Sequence, residues 1–268
     1  MKRLYHIGEI IIIYRFAKTW IYNIFIFRLQ SRQIRKKISP AIKNRDVFIV
    51  GSGPNLKLDM YNENMQIICI NGSAAQPQLQ KMQPPNLTFL DNELLDLVVN
   101  KIKNSRSEII NDKLLKNLDL GIVISTQSNN SLGGPLDQLE SKWIDHITTD
   151  KKFRKQLCKK LTKQSNLETS RRGILSTGGF ALAFVVYFGA KSVLMSGFSF
   201  YKSPTKDDSD KFYKERNSIS SMTFESGIDT RSHSLADSFL ISCLVLMGFK
   251  IESNDTDLLP ILHNWGSN

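Results

Sequence analysis

The residues in this chain best suited to chemistry lie in two short glycine-containing segments. Val50-Gly51-Ser52-Gly53-Pro54 follows the apolar run Asp46–Val50 directly. Glycines after a strand permit a tight turn and let backbone N–H groups approach a ligand phosphate or ribose. The segment is not a complete G-x-G-x-x-G, because Leu56 stands at the third glycine, and it is not a G-x-x-x-x-G-K-[ST] loop. It reads as a ligand loop or as an ordinary turn. Leu175-Ser176-Thr177-Gly178-Gly179 opens a predicted helix that runs to Phe188, with Gly189 placed as its C-terminal glycine. The free N–H groups and positive dipole end of such a helix suit a phosphate or carboxylate, although a plain N-cap explains the same residues.

His233 is the third candidate. It sits just before a predicted helix, Ser234–Gly248, in which Ser234 and Asp237 have capping-box spacing. A helix N-terminus disfavours imidazolium, which leaves neutral imidazole available as a general base near pH 7. His6, His146 and His263 have no comparable setting. Asp207, Asp208 and Asp210 resemble the Asp-x-Asp metal motif of many sugar transferases, but they lie in a polar loop and read as solvated charges. Cys69, Cys158 and Cys243 are too few and too scattered for a disulfide framework or a zinc site.

The elements that have to position these groups alternate. Strand-like runs fall at Asp46–Val50, Gln66–Ile70, Asn86–Leu90, Leu120–Ile124, Lys191–Ser196 and Phe249–Glu252, with helix-compatible stretches at Glu93–Lys103 and Asp112–Leu118. That alternation predicts a layered α/β fold with a mostly parallel sheet and flanking helices. Leu136–Ile147 and Lys151–Lys163 read as polar helices forming a cap or an insertion. Residues 202–231 are polar without apolar periodicity, as in a lid loop. The second and third strands end in Ile70-Asn71-Gly72 and Leu90-Asp91-Asn92. Small or polar groups ending three consecutive strands predict a crevice at the carboxyl edge of the sheet, where ligands bind in open α/β folds.

The net charge of +11 is unevenly placed. Residues 1–37 hold nine Lys/Arg and one acid, Glu9, so the other 231 positions carry only +3. A nucleic-acid enzyme shows basic residues across its working face, so nucleic acid is not an expected partner. The longest uncharged run in the N-terminal segment, Thr19–Phe27, is nine residues, against roughly 20 for a membrane-spanning helix. Ile10, Ile13, Ala17, Trp20, Ile24 and Phe27 gather opposite Arg15, Lys18, Thr19 and Tyr22, and the basic cluster Arg32–Lys37 follows. This describes an amphipathic helix lying on an anionic membrane surface through residues 1–37, or else packed on its own domain, with a poor signal-anchor as a third reading. The chain divides into this segment, 1–40, and one α/β domain, 41–268.

The order of these pieces resembles the sialyltransferases. The resemblance is carried by Val47–Leu56 (VFIVGSGPNL), Ile68–Asn71 (ICIN), Leu175–Gly197 (LSTGGFALAFVVYFGAKSVLMSG) with Phe198–Tyr201 (FSFY), and Ser232–Asp237 (SHSLAD). The first and last are similar to the bacterial lipooligosaccharide sialyltransferases. The STG…GF segment is similar to the animal Golgi enzymes as well. Residues 93–170 are unmatched, and Ser52, Ile174 and Ser199 stand where the bacterial enzymes have Asn, Arg and Asp.

The resemblance implies a Rossmann-like glycosyltransferase fold of GT-A variant type, a CMP-sugar as co-substrate, inversion at the anomeric carbon, and no metal or other cofactor. By position, Gly51, Ser52 and Gly53 would contact the donor phosphate and sugar. Asn71 and Asp91 would contact its cytidine or sugar portion, and Ser176, Thr177 and Gly178 its carboxylate or phosphate. Tyr201 would donate to the departing phosphate and His233 would deprotonate the acceptor. The expected partners are a nucleotide-sugar donor and a glycan or glycolipid acceptor at the inner face of the cell membrane, with an oligomer left open. A pyrophosphokinase-like transferase and a non-catalytic glycan-binding relative are the alternatives.

Overall fold

Among the described residues seven short strands, β1 (Asp46–Val50), β2 (Gln66–Ile70), β3 (Leu87–Leu90), β4 (Ile122–Gln127), β5 (His146–Asp150), β6 (Ser192–Ser196) and β7 (Ile251–Ser253), form one sheet. Its order is β5-β4-β3-β2-β1-β6-β7, and every strand pair is parallel. The structure, a computed structural model, describes residues 14, 17, 21, 25–51, 56–71, 73, 77, 81–90, 119–127, 145–163, 175–198 and 231–253. They fall into two compact units, Met1–Ser39 and Pro40–Asn268.

The central strands are apolar on both faces, as parallel strands covered on both sides have to be. On one face Phe48, Val50, Ile67, Cys69, Leu90, Val123 and Leu194 are covered by Leu56, Leu58, Tyr61, Met65 and Met82. The other face carries a helix that packs on β1, β2 and β3, α3 (Thr177–Tyr187). Its residues Gly178–Val185 are all buried, which explains why TGGFALAFVVY has no polar side. Phe89 of β3 meets Phe180 and Phe184 edge-on at centroid distances of 6.0 and 5.2 Å. Burying each such ring contributes about 1.5–3 kcal/mol, which fixes α3 against the sheet.

Two further helices complete that layer. α2 (Lys151–Thr162) packs on β5, α3 and α4 (Arg231–Leu246), and α4 also packs on α3. α2 is capped by Asp150, whose carboxylate accepts from the Phe153 N–H at 2.6 Å. In the N-terminal unit, α1 begins at Phe27 and runs on to Ile42. It buries one stripe, Phe27, Ser31, Ile34, Ile38 and Ile42, and exposes Arg28, Leu29, Arg32, Arg35, Lys36 and Lys37.

Three expectations change. Of the helix expected over Leu136–Ile147, His146 and Ile147 belong instead to strand β5, while residues 136–144 lie outside the described residues. The helix expected over Lys151–Lys163 is present as α2, and it covers the sheet edge instead of forming a cap or insertion. Ile147 and Thr149 are buried while their neighbours are not, so the period of two outweighs the polar composition. The fourth helix starts at Arg231, which puts Ser234 inside it and leaves no capping box for Ser234 and Asp237. α1 continues through Pro40, where a proline in the last turn removes one backbone bond while Ile38 and Ile42 remain fully buried. The helices expected over Glu93–Lys103 and Asp112–Leu118 lie outside the described residues.

Candidate active site

The strand order reverses between β1 and β6, because the chain runs outward from β1 through β5 and returns to its other side. Such a switch point opens a crevice at the carboxyl ends of the two strands. Here glycines stand at the carboxyl ends of both strands. The Gly51 N–H donates to the Ser196 carbonyl at 2.8 Å. A Cβ on Gly51 would sit 2.3 Å from the Gly197 carbonyl oxygen, and Gly197 adopts a left-handed φ of 81°. Neither position accepts a side chain. The Lys57 N–H returns to the Ser196 hydroxyl at 2.9 Å. The segment that carries Ser52 and Gly53 therefore has both ends fastened to the last residue of β6. Ser52 and Gly53 themselves lie outside the described residues.

The second segment meets the first at Phe198. A Cβ on Gly178 would lie 2.3 Å from Phe198 Cε1, and one on Gly51 would lie 3.2 Å from Phe198 Cδ2. One aromatic ring thus rests on a glycine from each loop, across the switch point. Ser176 caps α3 through its hydroxyl, which accepts from the Gly179 N–H at 2.9 Å. Its carbonyl accepts from the Phe180 N–H at 2.9 Å. The first N–H groups of α3, those of Thr177 and Gly178, have no acceptor within the helix.

Side chains from neighbouring helices hold this helix start. Asp237, a buried residue on α4, accepts from the Ser176 N–H at 3.0 Å through Oδ1 and from the Ser176 hydroxyl at 2.5 Å through Oδ2. Arg154 of α2 donates from Nη2 to the Leu175 carbonyl at 3.1 Å and lies over the Phe180 ring at 4.5 Å. α2 follows the carboxyl end of β5 directly, and α3 and α4 precede the parallel strands β6 and β7, so all three start at the carboxyl edge. Each helix start carries about +0.5 elementary charge, which favours an anionic ligand beside it.

Asn71 follows β2 with a left-handed φ of 51°, a conformation asparagine tolerates better than most residues. Ser73 ties this strand end down: its hydroxyl donates to the Val50 carbonyl at 2.6 Å and accepts from the Ile70 N–H at 2.8 Å. Burial pushes the Cys69 thiol well above its ordinary range despite the opposing hydrogen bond with Ser73, so Cys69 is no nucleophile at neutral pH. His233 lies in the first turn of α4, four residues before Asp237. Tyr201, Asp91, Asp207, Asp208, Asp210 and the expected lid through residue 230 lie outside the described residues. Among the described residues no three His, Cys, Asp or Glu side chains form a metal-ligand group.

The site thus contains Gly51, Asn71, Ser176, Thr177 and Gly178 at one sheet edge. Ser73, Ser196, Phe198, Arg154 and Asp237 are further members. Ser196, Phe198 and Asp237 fall within the segments that carry the resemblance. The contacts made here with Val50, Lys57, Gly51, Leu175 and Ser176 join remote parts of the chain and have no local sequence signature. Asp237 and Ser176 are 61 residues apart, and Lys57 and Ser196 are 139 apart.

The sheet and its flanking helices define a Rossmann-like α/β fold. No protein-family model matches the sequence, and no curated protein matches it. Solved structures do match. The Campylobacter jejuni sialyltransferase CST-II, in complex with CMP and a trisaccharide acceptor, is 13% identical with a TM-score of 0.51, covering 80% of this chain and 84% of that one. The α-2,3-sialyltransferase from Campylobacter jejuni in apo form is 12% identical with a TM-score of 0.50, covering 80% and 78%. The monofunctional α-2,3-sialyltransferase Cst-I of the same organism is 13% identical with a TM-score of 0.50, covering 84% and 82%. This chain shares its Rossmann-like α/β fold with these three structures.

Proposed function

We propose that this protein is an inverting, metal-independent glycosyltransferase that moves sialic acid or a related acidic sugar from a CMP-sugar to a hydroxyl of a glycolipid or surface polysaccharide. The observation that carries the reading is the meeting of the Gly51 and Gly178 loops on Phe198 at the switch point, within this fold. In the reaction the acceptor oxygen attacks the anomeric carbon, the bond from that carbon to the phosphate oxygen breaks, and CMP departs with the electron pair. His233 takes the acceptor proton. The charge on CMP is met by the Thr177 and Gly178 N–H groups, the α3 dipole and the Tyr201 hydroxyl, with Gly51, Ser52, Gly53, Asn71 and Asp91 around the donor. Hydroxyl and backbone donors aimed at a developing charge stabilise it without a cation.

Purified protein should hydrolyse or transfer from CMP-sialic acid with undiminished rate in EDTA. His233→Ala should lower turnover by roughly 10²–10⁴ while CMP binding persists. Neither binding nor turnover of any CMP-sugar by the wild type would sink the reading.

The same reading puts the enzyme on an anionic membrane face. Phe27, a member of the apolar face expected to meet the membrane, is instead buried on one stripe with Ile34 and Ile38. In support of the reading, a different set, Tyr14, Ile21, Phe25, Ile26 and Leu29, is exposed alongside Arg28, Arg32, Arg35 and Lys36. Among the described residues no helix is long and apolar enough to cross a membrane. An apolar strip flanked by cations suits the headgroup boundary of a bilayer. The protein should sediment with phosphatidylserine vesicles and leave them in high salt; equal sedimentation with neutral vesicles would count against it.

A further inference from the structure

Ser176 occupies the position at which a donor-binding hydroxyl is expected, yet its hydrogen bonds are already committed. Its N–H goes to Asp237 Oδ1 and its hydroxyl hydrogen to Asp237 Oδ2. The same hydroxyl accepts from the Gly179 N–H. One hydroxyl proton cannot serve Asp237 and a ligand phosphate together. We infer that Asp237 is a positioning residue that clamps the donor loop to the helix bearing His233, and that Ser176 belongs to this clamp and not to the donor contacts. The inference rests on the transferase reading and deepens it.

Three observations carry it. Asp237 is almost fully buried, so its carboxylate is kept there by the donors it meets. Gly179 is matched to it: a Cβ at that position would lie 2.0 Å from Asp237 Oδ1, so the glycine is what admits the carboxylate to the turn. The partners are 61 residues apart and belong to different helices, so the clamp fixes the start of α3 relative to α4. Position 233 is one helical turn before 237 on α4. A shift of the clamp therefore moves the base of the proposed reaction with respect to the N–H groups of Thr177 and Gly178. Those two N–H groups are then the part of the helix start that serves the leaving phosphate.

The test is a cycle of Ser176→Ala, Asp237→Asn, Asp237→Ala and the Ser176→Ala/Asp237→Ala pair in the full chain. Turnover of CMP-sialic acid, CMP affinity and unfolding midpoint are read for each. Asp237→Asn preserves shape but points an N–H at the Ser176 hydroxyl, so kcat should fall about tenfold in a folded protein, with KM for the donor changed less; misplacing reacting groups by about 1 Å can cost about 10²-fold. Ser176→Ala should lower CMP affinity less than twofold, and the double variant should lose no more than Asp237→Ala alone, since coupled residues are not additive. Multiplicative losses, or a tenfold loss of CMP affinity in Ser176→Ala, would overturn the clamp. If the wild type shows no CMP-sugar chemistry, the functional reading fails, and the unfolding midpoints still decide the clamp: coupled midpoints uphold it and additive ones reject it.

Discussion

Helices α3 and α1 are both strongly apolar in part, and they use that character in opposite ways. α3 is enclosed on every side, from Gly178 through Val185. It begins at the candidate site, and its start is held by Ser176, Asp237 and Arg154. α1 buries one stripe and turns five cations and Leu29 outward. A helix without a wet face can only be an internal wall, so its residues are chosen by volume. A helix with a charged face answers to salt and to whatever anionic surface it meets.

The contrast can be broken from either side. The largest effect belongs to Phe184→Ala, which empties a site between Phe89, Phe180 and Phe188. It should destabilise the domain by about 3–5 kcal/mol in denaturant unfolding, whereas Leu29→Ala on α1 should stay within about 0.5 kcal/mol. Gly178→Ala acts at the candidate site itself. Its methyl would drive the Phe198 ring away from Gly51, and turnover should drop about 10²-fold through misplaced contacts, as steady-state kinetics would show. Replacing Arg28, Arg32, Arg35 and Lys36 by Gln should leave the unfolding midpoint unchanged. It should weaken binding to phosphatidylserine vesicles by about 1 kcal/mol for each charge removed.

The smallest effect lies in β1, away from both helices. The Ser192 hydroxyl first, and then Lys191, hold the Asp46 carboxyl below its ordinary range. A lowered pKa stabilises the fold above the ordinary carboxylate range, and that contribution disappears as pH falls through the lowered value. The pair is largely exposed, so Asp46→Asn should remove at most a few tenths of a kcal/mol at pH 7. The difference from wild type should vanish in acid-unfolding curves at the lowest pH.

Much of the frame is legible in the sequence. β1, β2 and the extent of α3 follow from apolar runs bounded by Gly and Ser, because local propensity and burial agree there. β5 was not readable as a strand, since HITTD has one strongly apolar residue and lies beside helix-forming sequence. The β-branched run Ile147-Thr148-Thr149 before the cap Asp150 was the available signal. The role of Asp237 had no local signal at all. Its spacing to Ser234 suggests a cap for its own helix, while its partner is Ser176 on another. Long-range polar pairs of this kind leave no period and no motif, so half of the candidate site could be found only in three dimensions.

The pairing of β1 with β6 has a consequence for the order of events during synthesis. Gly51 leaves the ribosome long before Gly197 and Phe198, and until they arrive its loop has nothing to close against. Contacts of such sequence separation form late and slowly in folding. A nascent chain ending near residue 190 holds the first glycine loop and strands β1 to β5, yet β6, against which that loop closes, is still missing. Ligand capture, read on arrested chains of increasing length, should appear only once β6, Phe198 and the clamp from α4 have emerged together.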